Sequence, residues 1–600
     1  MEQTCVFPEN IPACEAPKKE KIRYPIRVPY NFIPFSETVI DRYRSPDELP
    51  PHNVQRPDLL SGEIRVSITT ETPIFLSGGG SPAQFTRDSQ GRYCIPASSV
   101  RGLIRQNMQI LGFGAVRPGL DIQRIRLFYR DSPFRAKSTD EGGEAEQPRP
   151  PVQSGYLHHL GKDYFIRPTT GAVLAVPRWQ TDIYPPERET APCAGGIRLR
   201  TARACIYKVF YKEEAGRVTF LTTDRFLRDG CRSGTLLCPN SWTRGDSGSP
   251  TGSLYLFPEE DRNAPSIPLT EEEILSHRED LSRRRKSVNS VVWQRFWALP
   301  EEQTSFGSGK PVFFVQKDGF TSFGVSRVPR LAYAHALSDG LPPRHQQTPL
   351  TFLDYPSAIL GHFYYTTRYR SRVSVGTFSV QGPVTPMEPR PLLLGEPKPG
   401  FYRAYVKDGL DYNEDGFTLS GYKHYWLKPV QNCPARDNVA STITPLPPGT
   451  VFTGTIRYKN LHADELGLLL WSVGLEPGCM QSIGMGKPYG YGRVRIAIDA
   501  LREYDMAALY RSLSPSPICA DAAQRTRELI RCYDEKAREL AGFQTPVWEQ
   551  PTVQDFLYMK RTIREDVQNI RYMPLKEYRK AARGLQTVAS IRTAENQPLE

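Results

Sequence analysis

Along residues 62–76, apolar and polar positions alternate. Ile64, Val66 and Ile68 fall on one side, and Arg65, Ser67 and Thr69 on the other. A period of two over this length predicts a half-buried β-strand. Gly78-Gly79-Gly80 ends it, and a hairpin about Asp88-Ser89-Gln90-Gly91 leads to Tyr93-Cys94-Ile95-Pro96. The period then changes. Val100, Leu103, Ile104, Met108 and Leu111 lie at offsets of 3, 4, 8 and 11, which is one face of a helix. Ser98 or Ser99 is placed to cap its N-terminus. The same order returns later: residues 451–458 read as a strand, Leu466, Leu469, Leu470 and Val473 as a helix face, and a loop with Gly484, Gly486, Gly490 and Gly492 opens onto a second alternating strand.

The rest of the chain is organised around these two units. Residues 1–61 are proline-rich, and Val28 to Pro34 cannot form a helix interior, so this segment is expected to pack as extended chain on a domain surface. Residues 62–112 form the first unit, and 113–350 read as a β-rich insertion. The insertion has strand-like pieces at 163–176, 197–211 and 216–222 and another at Phe313-Phe314-Val315. In it, Thr270 with Glu273 is a capping box for a helix running towards residue 300. Arg283-Arg284-Arg285-Lys286 on that helix is either a solvated face or an RNA contact. Residues 351–445 hold the return strand of the first unit and a loop region, 446–498 the second unit, and 499–600 a helical C-terminal region. In the loop region, Leu419 to Trp426 interleaves basic and aromatic side chains. Lys423 and His424 suit phosphate contact beside stacked bases, and the string reads equally as a half-buried strand. Leu529, Ile530, Tyr533, Ala537 and Leu540 make one face of a helix over 521–541 that Gly542 stops.

Composition narrows the partners more than the fold. The chain has 600 residues and a formal charge of +12, which favours a polyanionic partner. No 18-residue apolar run occurs and the N-terminus has no apolar signal region, so neither a membrane span nor secretion is expected, and the chain reads as cytoplasmic. Eleven cysteines without a CxxC fit a reduced set. Cys193, Cys205, Cys231 and Cys238 fall within 46 residues but lack a recognised zinc spacing, so thiols are expected there, with a zinc site as the alternative, and no cofactor is required.

Two places carry candidate chemistry. The four glycines at 484–492 permit positive φ and close backbone approach. Successive N–H groups in such a loop can form an anion nest, with Lys487 and Arg493 adding charge. The plain alternative is a glycine-rich turn without a ligand. A Walker loop is excluded, because no GK[ST] is present and a strand follows. The second place is the helix N-terminus at Ser98 and Ser99, with Arg101 and Arg105 four residues apart on one side, which suits a phosphate. There the alternative is capping serines and solvated arginines.

Together these phrases resemble the RAMP superfamily of CRISPR-associated proteins. The resemblance lies in Pro29-Tyr30-Asn31-Phe32, in Ile95-Pro96 with Ser98-Ser99 and Arg101-Gly102, in Asp354 to Gly361, in Arg372-Val373, in Asn460-Leu461 with Glu465-Leu466, and in the loop from Gly484 to Gly492. It covers about a third of the chain. His462 stands where a capping Ser is usual, and Leu360 where a Phe is usual. The resemblance implies an α+β, ferredoxin-like (RNA-recognition-motif-like) core. It implies a guide RNA-binding backbone subunit of a type III effector ribonucleoprotein, with target RNA and other effector subunits as partners. The implied RNA contacts are Ser98, Ser99, Arg101, Arg105, Lys423, His424, Gly484, Gly486, Lys487, Gly490, Gly492 and Arg493. Family members that cut target RNA use an Asp in the loop after the first strand; no cofactor is expected here, and a divalent metal enters only if the chain is catalytic. Here that loop offers only Asp88, whose place in a turn is explained by turn chemistry. The alternative within the family is an endoribonuclease that cleaves target RNA or processes precursor guide RNA, commonly with a His. His335, His345, His362 and His424 are available and form no recognisable constellation. A scaffold contacting only other subunits is the third reading.

Overall fold

The structure, a computed structural model, describes residues 24–80, 83–129, 151–176, 205–222, 226, 228–238, 254–284, 298–300, 309–327, 329–347, 351–364, 367–394, 402–433, 441–511, 518–519, 521–573, 577 and 581–596. The first alternating run is strand β1, Leu60–Thr70, and the helical pattern after it is α1, Ala97–Leu111. The chain returns to the same sheet as β2, Val373–Val375, and β3, Phe378–Val380. The second unit is β4, Val451–Leu461, then α2, Ala463–Gly474, then β5, Arg493–Glu503. These strands share one eight-stranded sheet in the order β5-β1-β4-β3, with β2 also on β4. Every neighbouring pair is antiparallel. Ile64, Val66 and Ile68 of β1 and Phe452 and Ile456 of β4 pack under Val100, Ile104, Met108 and Leu111 of α1 and Leu466, Leu469 and Leu470 of α2. Each such side chain contributes about 1.5–3 kcal/mol when fully buried. The other face of the sheet is polar, with Arg65, Arg457 and Arg495 exposed on it.

Two details of α1 differ from the sequence reading. Pro96 is its N-cap, no side chain caps the end, and Ser98 and Ser99 lie inside the first turn. Proline already sets the entry φ, so the helix starts two residues earlier than a cap at Ser98 requires.

A buried network joins the two units. Arg372, just before β2, donates to the Glu465 carboxylate through Nη1 at 2.7 Å and through Nη2, and also to the carbonyls of Asn460 at 2.8 Å and Ala358 at 3.1 Å. Both charged side chains are almost fully buried. Glu465 also accepts from the Tyr43 hydroxyl at 2.9 Å and from the His462 backbone N–H at 2.9 Å. The His462 ring itself does not cap α2. Asn460 takes a φ of 52°, a left-handed conformation that Asn tolerates better than most residues. Asp354 caps the short helix Tyr355–Leu360 and is ion-paired with buried Arg117 at 3.3 Å.

Between α1 and β2 lie two five-stranded antiparallel sheets with hydrophobic clusters of their own. One contains Cys205–Glu214, Arg217–Thr222, Arg232–Cys238 and Leu254–Pro258, the other Gln153–Leu160, Asp163–Pro168 and Lys310–Lys317. The capping box is present: the Glu273 carboxylate accepts from the Thr270 N–H at 2.6 Å and the Thr270 hydroxyl from the Glu273 N–H at 3.2 Å. The first part of the strand expected over 197–211 lies outside the described residues, as do Arg285 and Lys286 of the basic cluster.

At the C-terminal side, α3, Ala522–Ala541, is capped by Asp521 and stopped by Gly542 in a left-handed conformation. It buries Leu529, Tyr533 and Ala537 against α2, while Leu540, expected on the same face, is 39% exposed. Helix α4, Pro551–Arg561, follows. The N-terminal strand Tyr30–Ile33 pairs antiparallel with Tyr422–Tyr425. Among the described residues no helix is long and apolar enough to cross a membrane.

Candidate nucleic-acid interface

All four loop glycines have positive φ: 88° at Gly484, 81° at Gly486, 83° at Gly490 and 73° at Gly492. At Gly484, Gly490 and Gly492 the reason is close approach to the protein's own backbone, and at Gly486 it is the Tyr491 side chain. A Cβ on Gly484 would sit 2.4 Å from the Phe75 carbonyl oxygen, on Gly490 2.5 Å from that of Pro429, and on Gly492 1.9 Å from that of Ile483. Most loop N–H groups are used internally. Met485 donates to Phe75, Gly492 to Pro73, and Tyr489 and Gly490 to Gly486 and Lys487. An open anion nest along the whole loop, as expected from the glycines, is therefore not formed. The glycines act as a mount that holds Lys487 in place.

Two other segments bring a lysine and an imidazole within electrostatic reach of Lys487. His424 lies on Tyr422–Tyr425, and Lys560 and Phe556 lie one turn apart on α4. Lys560 Nζ stands 5.2 Å from the Phe556 ring centroid, and the His424 ring meets the same ring edge-on at 5.4 Å. Lys560 is 5% exposed and His424 is 5% exposed, while Lys487 is half-exposed. Burial pushes the Lys560 ammonium down to about 7, with Lys487 adding repulsion. Burial, then Lys560 and Lys487, hold His424 well below the usual imidazole range. Burial lowers Lys487 as well. His424 Nε2 is buried without a hydrogen-bond partner. Among the described residues no carboxylate is ion-paired with Lys487 or Lys560. Sequence reading found Lys487 and His424 separately and missed Lys560. Its signal was a lysine continuing the apolar series Val553, Phe556 and Leu557 of α4 at helical spacing.

The remaining expected contacts are placed differently. Lys423 turns away from His424 into a tyrosine cluster, 3.8 Å from the Tyr30 ring centroid, and donates to the Tyr405 hydroxyl at 3.1 Å; burial lowers it to about 8. His424 is interior, so the segment is the half-buried strand of the two readings, and neither side chain projects freely from the surface. Arg101 donates to the Leu360 carbonyl at 2.6 Å and to Ser371 Oγ at 3.1 Å, and so holds the return strand to α1. Ser98 is exposed, and Ser99 and Arg105 are half-exposed beside it. Arg493 Nη1 reaches the Lys428 carbonyl at 3.5 Å and its backbone N–H donates to Thr72 Oγ1 at 2.9 Å.

Asp88 is occupied on every side. It accepts from the N–H groups of Gln90 at 2.9 Å and Arg92 at 3.0 Å, from Arg92 Nε at 2.9 Å and from Ser379 Oγ at 2.9 Å. Desolvation raises its carboxyl, and Ser379 and Arg92 more than reverse that, leaving it below the ordinary range. Four hydrogen bonds saturate a carboxylate, so this is a turn clamp tying the hairpin to β3. Of the histidines, His345 is committed on both nitrogens, to the Val116 N–H at 2.9 Å and near the Ser36 carbonyl at 2.8 Å. His335 pairs with Asp415 at 3.0 Å.

Cys193 lies outside the described residues. The backbones of Cys205 and Cys238 face each other across adjacent strands, and the Cys231 thiol points to the Asp229 carbonyl at 3.8 Å. Among the described residues no group of three or more His, Cys, Asp or Glu is placed to hold a metal ion.

No protein-family model matches the sequence, and no curated protein matches it. Solved structures do. The chain is similar to the crystal structure of Thermofilum pendens Csc2, with 15% identity and a TM-score of 0.15, over 34% of this chain and 55% of that one. It thus spans little more than half of the Csc2 chain. It is also similar to a chain of the cryo-EM structure of the Type III-B Cmr-beta bound to cognate target RNA, with 10% identity and a TM-score of 0.17, over 73% of this chain and 97% of that one.

Proposed function

We propose that this chain is a RAMP-superfamily subunit of a type III CRISPR effector ribonucleoprotein, and that it binds guide RNA along its phosphates and supports pairing with target RNA. The observation that carries the reading is the meeting of motif residues that lie far apart in the sequence. Arg372 closes on Glu465 and on the Asn460 carbonyl, which ties the two β-α-β units together. Numbered by unit, the four main strands lie in the order 4-1-3-2, which we read as a ferredoxin-like core. The glycine loop precedes the last of them and mounts Lys487. Sequence reading is then delegated to base pairing between guide and target, and the protein holds backbone.

The test is to purify the protein from its native host and sequence the nuclease-protected RNA that accompanies it. Discrete repeat–spacer RNA with partner subunits is the expected result. Random RNA, or none, overturns the guide-binding role in favour of a processing enzyme or a scaffold. Because Asp88 is a saturated turn clamp, Asp88→Ala is expected to leave target-RNA cleavage by the assembled complex unchanged, measured as the initial rate on a labelled target. A loss of cleavage with assembly intact would make Asp88 catalytic after all.

A further inference from the structure

We infer that Lys487, Lys560 and His424 form an oxyanion site that takes one backbone phosphate. This deepens the RNA-binding reading and rests on it for the source of the phosphate; the chemistry of the site stands on the three side chains themselves. They arrive from three segments: the glycine loop, α4, and the strand Tyr422–Tyr425. His424 and Lys560 share the Phe556 ring as a wall, at 5.4 Å and 5.2 Å. A buried lysine near a second lysine and beside a buried imidazole nitrogen without a hydrogen-bond partner, with no carboxylate paired to either lysine among the described residues, is an arrangement that costs stability. An anion entering beside Lys487 offsets that cost and supplies the acceptor that the buried His424 Nε2 lacks.

The remaining titratable group facing Lys560 is the Cys479 thiol, which burial pushes up to about 11, so it stays neutral and does not compete for the site. With the site empty, Lys560 titrates near 7 and His424 well below its usual value. An anion favours their protonated forms, so filling the site takes up protons, and binding tightens as pH falls through about 7.

The experiment compares wild type with Lys560→Met in the full-length protein, with Lys536→Met as the control, a half-exposed lysine of α3 that is ion-paired with Glu539. The probe is a short fluorescein-labelled single-stranded RNA. Lys560→Met is expected to weaken binding about tenfold or more, the range for loss of a charge-assisted contact. It should also lower the slope of log K against log salt by about 0.7 and flatten the pH dependence. In the absence of RNA its Tm should equal or exceed that of wild type, because a buried unpaired charge has gone. Weaker binding with undiminished stability separates a binding role from a structural one. Wild-type affinity, salt slope and pH profile in Lys560→Met overturn the inference. If wild type itself binds no RNA, the functional reading fails, and inorganic phosphate then decides the site alone. A phosphate-dependent rise in Tm in wild type but not in Lys560→Met upholds it, and an equal shift or none in both overturns it.

Discussion

Glu465→Ala is expected to lower the stability of the chain by about 3–5 kcal/mol, the range for removing one partner of a buried ion pair. The Arg372 guanidinium would stay almost fully buried, with only carbonyls to accept from it, and the Tyr43 hydroxyl and His462 N–H would lose their acceptor. Urea unfolding followed by tryptophan fluorescence measures this, because Trp471 lies on the helix that Glu465 starts. A double variant, Arg372→Met with Glu465→Leu, should recover part of the loss, since a buried pair replaced by apolar groups is often near neutral. A double variant as unstable as the sum of the single ones would mean that the hydrogen bonds to Asn460 and Ala358 dominate.

The same pair fixes a pH dependence. Burial raises the Glu465 carboxyl, but Arg372 and the His462 N–H more than reverse it, so it titrates below its ordinary value in the folded state. A depressed folded pKa gives stability that is complete above the unfolded value, near pH 4.3, and is lost as pH falls through the folded value. Acid unfolding of wild type should therefore begin below about pH 4.3, and Glu465→Gln should remove that part of the slope.

Gly492→Ala is expected to have the second large effect. The left-handed backbone costs a residue with a Cβ roughly 1–2 kcal/mol. The new Cβ would also sit 1.9 Å from the Ile483 carbonyl oxygen, on backbone that cannot swing aside, which adds about 1–3 kcal/mol of overpacking. Gly478 is the matched control: its φ is 84°, yet nothing lies within 4 Å of a Cβ there, so Gly478→Ala should cost only the conformational part. Thermal unfolding of the two variants separates the terms. Equal losses would show that the loop yields, and that the glycines are needed for conformation and not for contact. Because Gly492 lies on the mount of Lys487, the variant should also weaken RNA binding at temperatures where it remains folded.

The side-chain pattern alone set the local elements of the two units. The period-two run of β1, the helix faces of α1 and α2 and the stop at Gly542 follow from side-chain spacing and backbone chemistry alone, and the observed elements lie where that spacing puts them. It also marked the residues whose identity is constrained, including Asn460, Glu465, Arg372 and the four glycines. What those constraints are for depends on which segments pack against them. Glycines that read as an anion nest are glycine because Phe75, Pro429 and Ile483 leave no room for a Cβ. Arg101, read as a free charge or a phosphate ligand, is spent on the Leu360 carbonyl. Lys423 and His424, adjacent and equivalent in the sequence, point to a tyrosine cluster and to Phe556, because neighbours on a strand face opposite ways. Lys560 became part of a site only when α4 was laid beside the loop. Spacing along a chain records which side of an element a residue occupies. It does not record which element will cover that side, and the chemistry of a buried charge is set by what covers it.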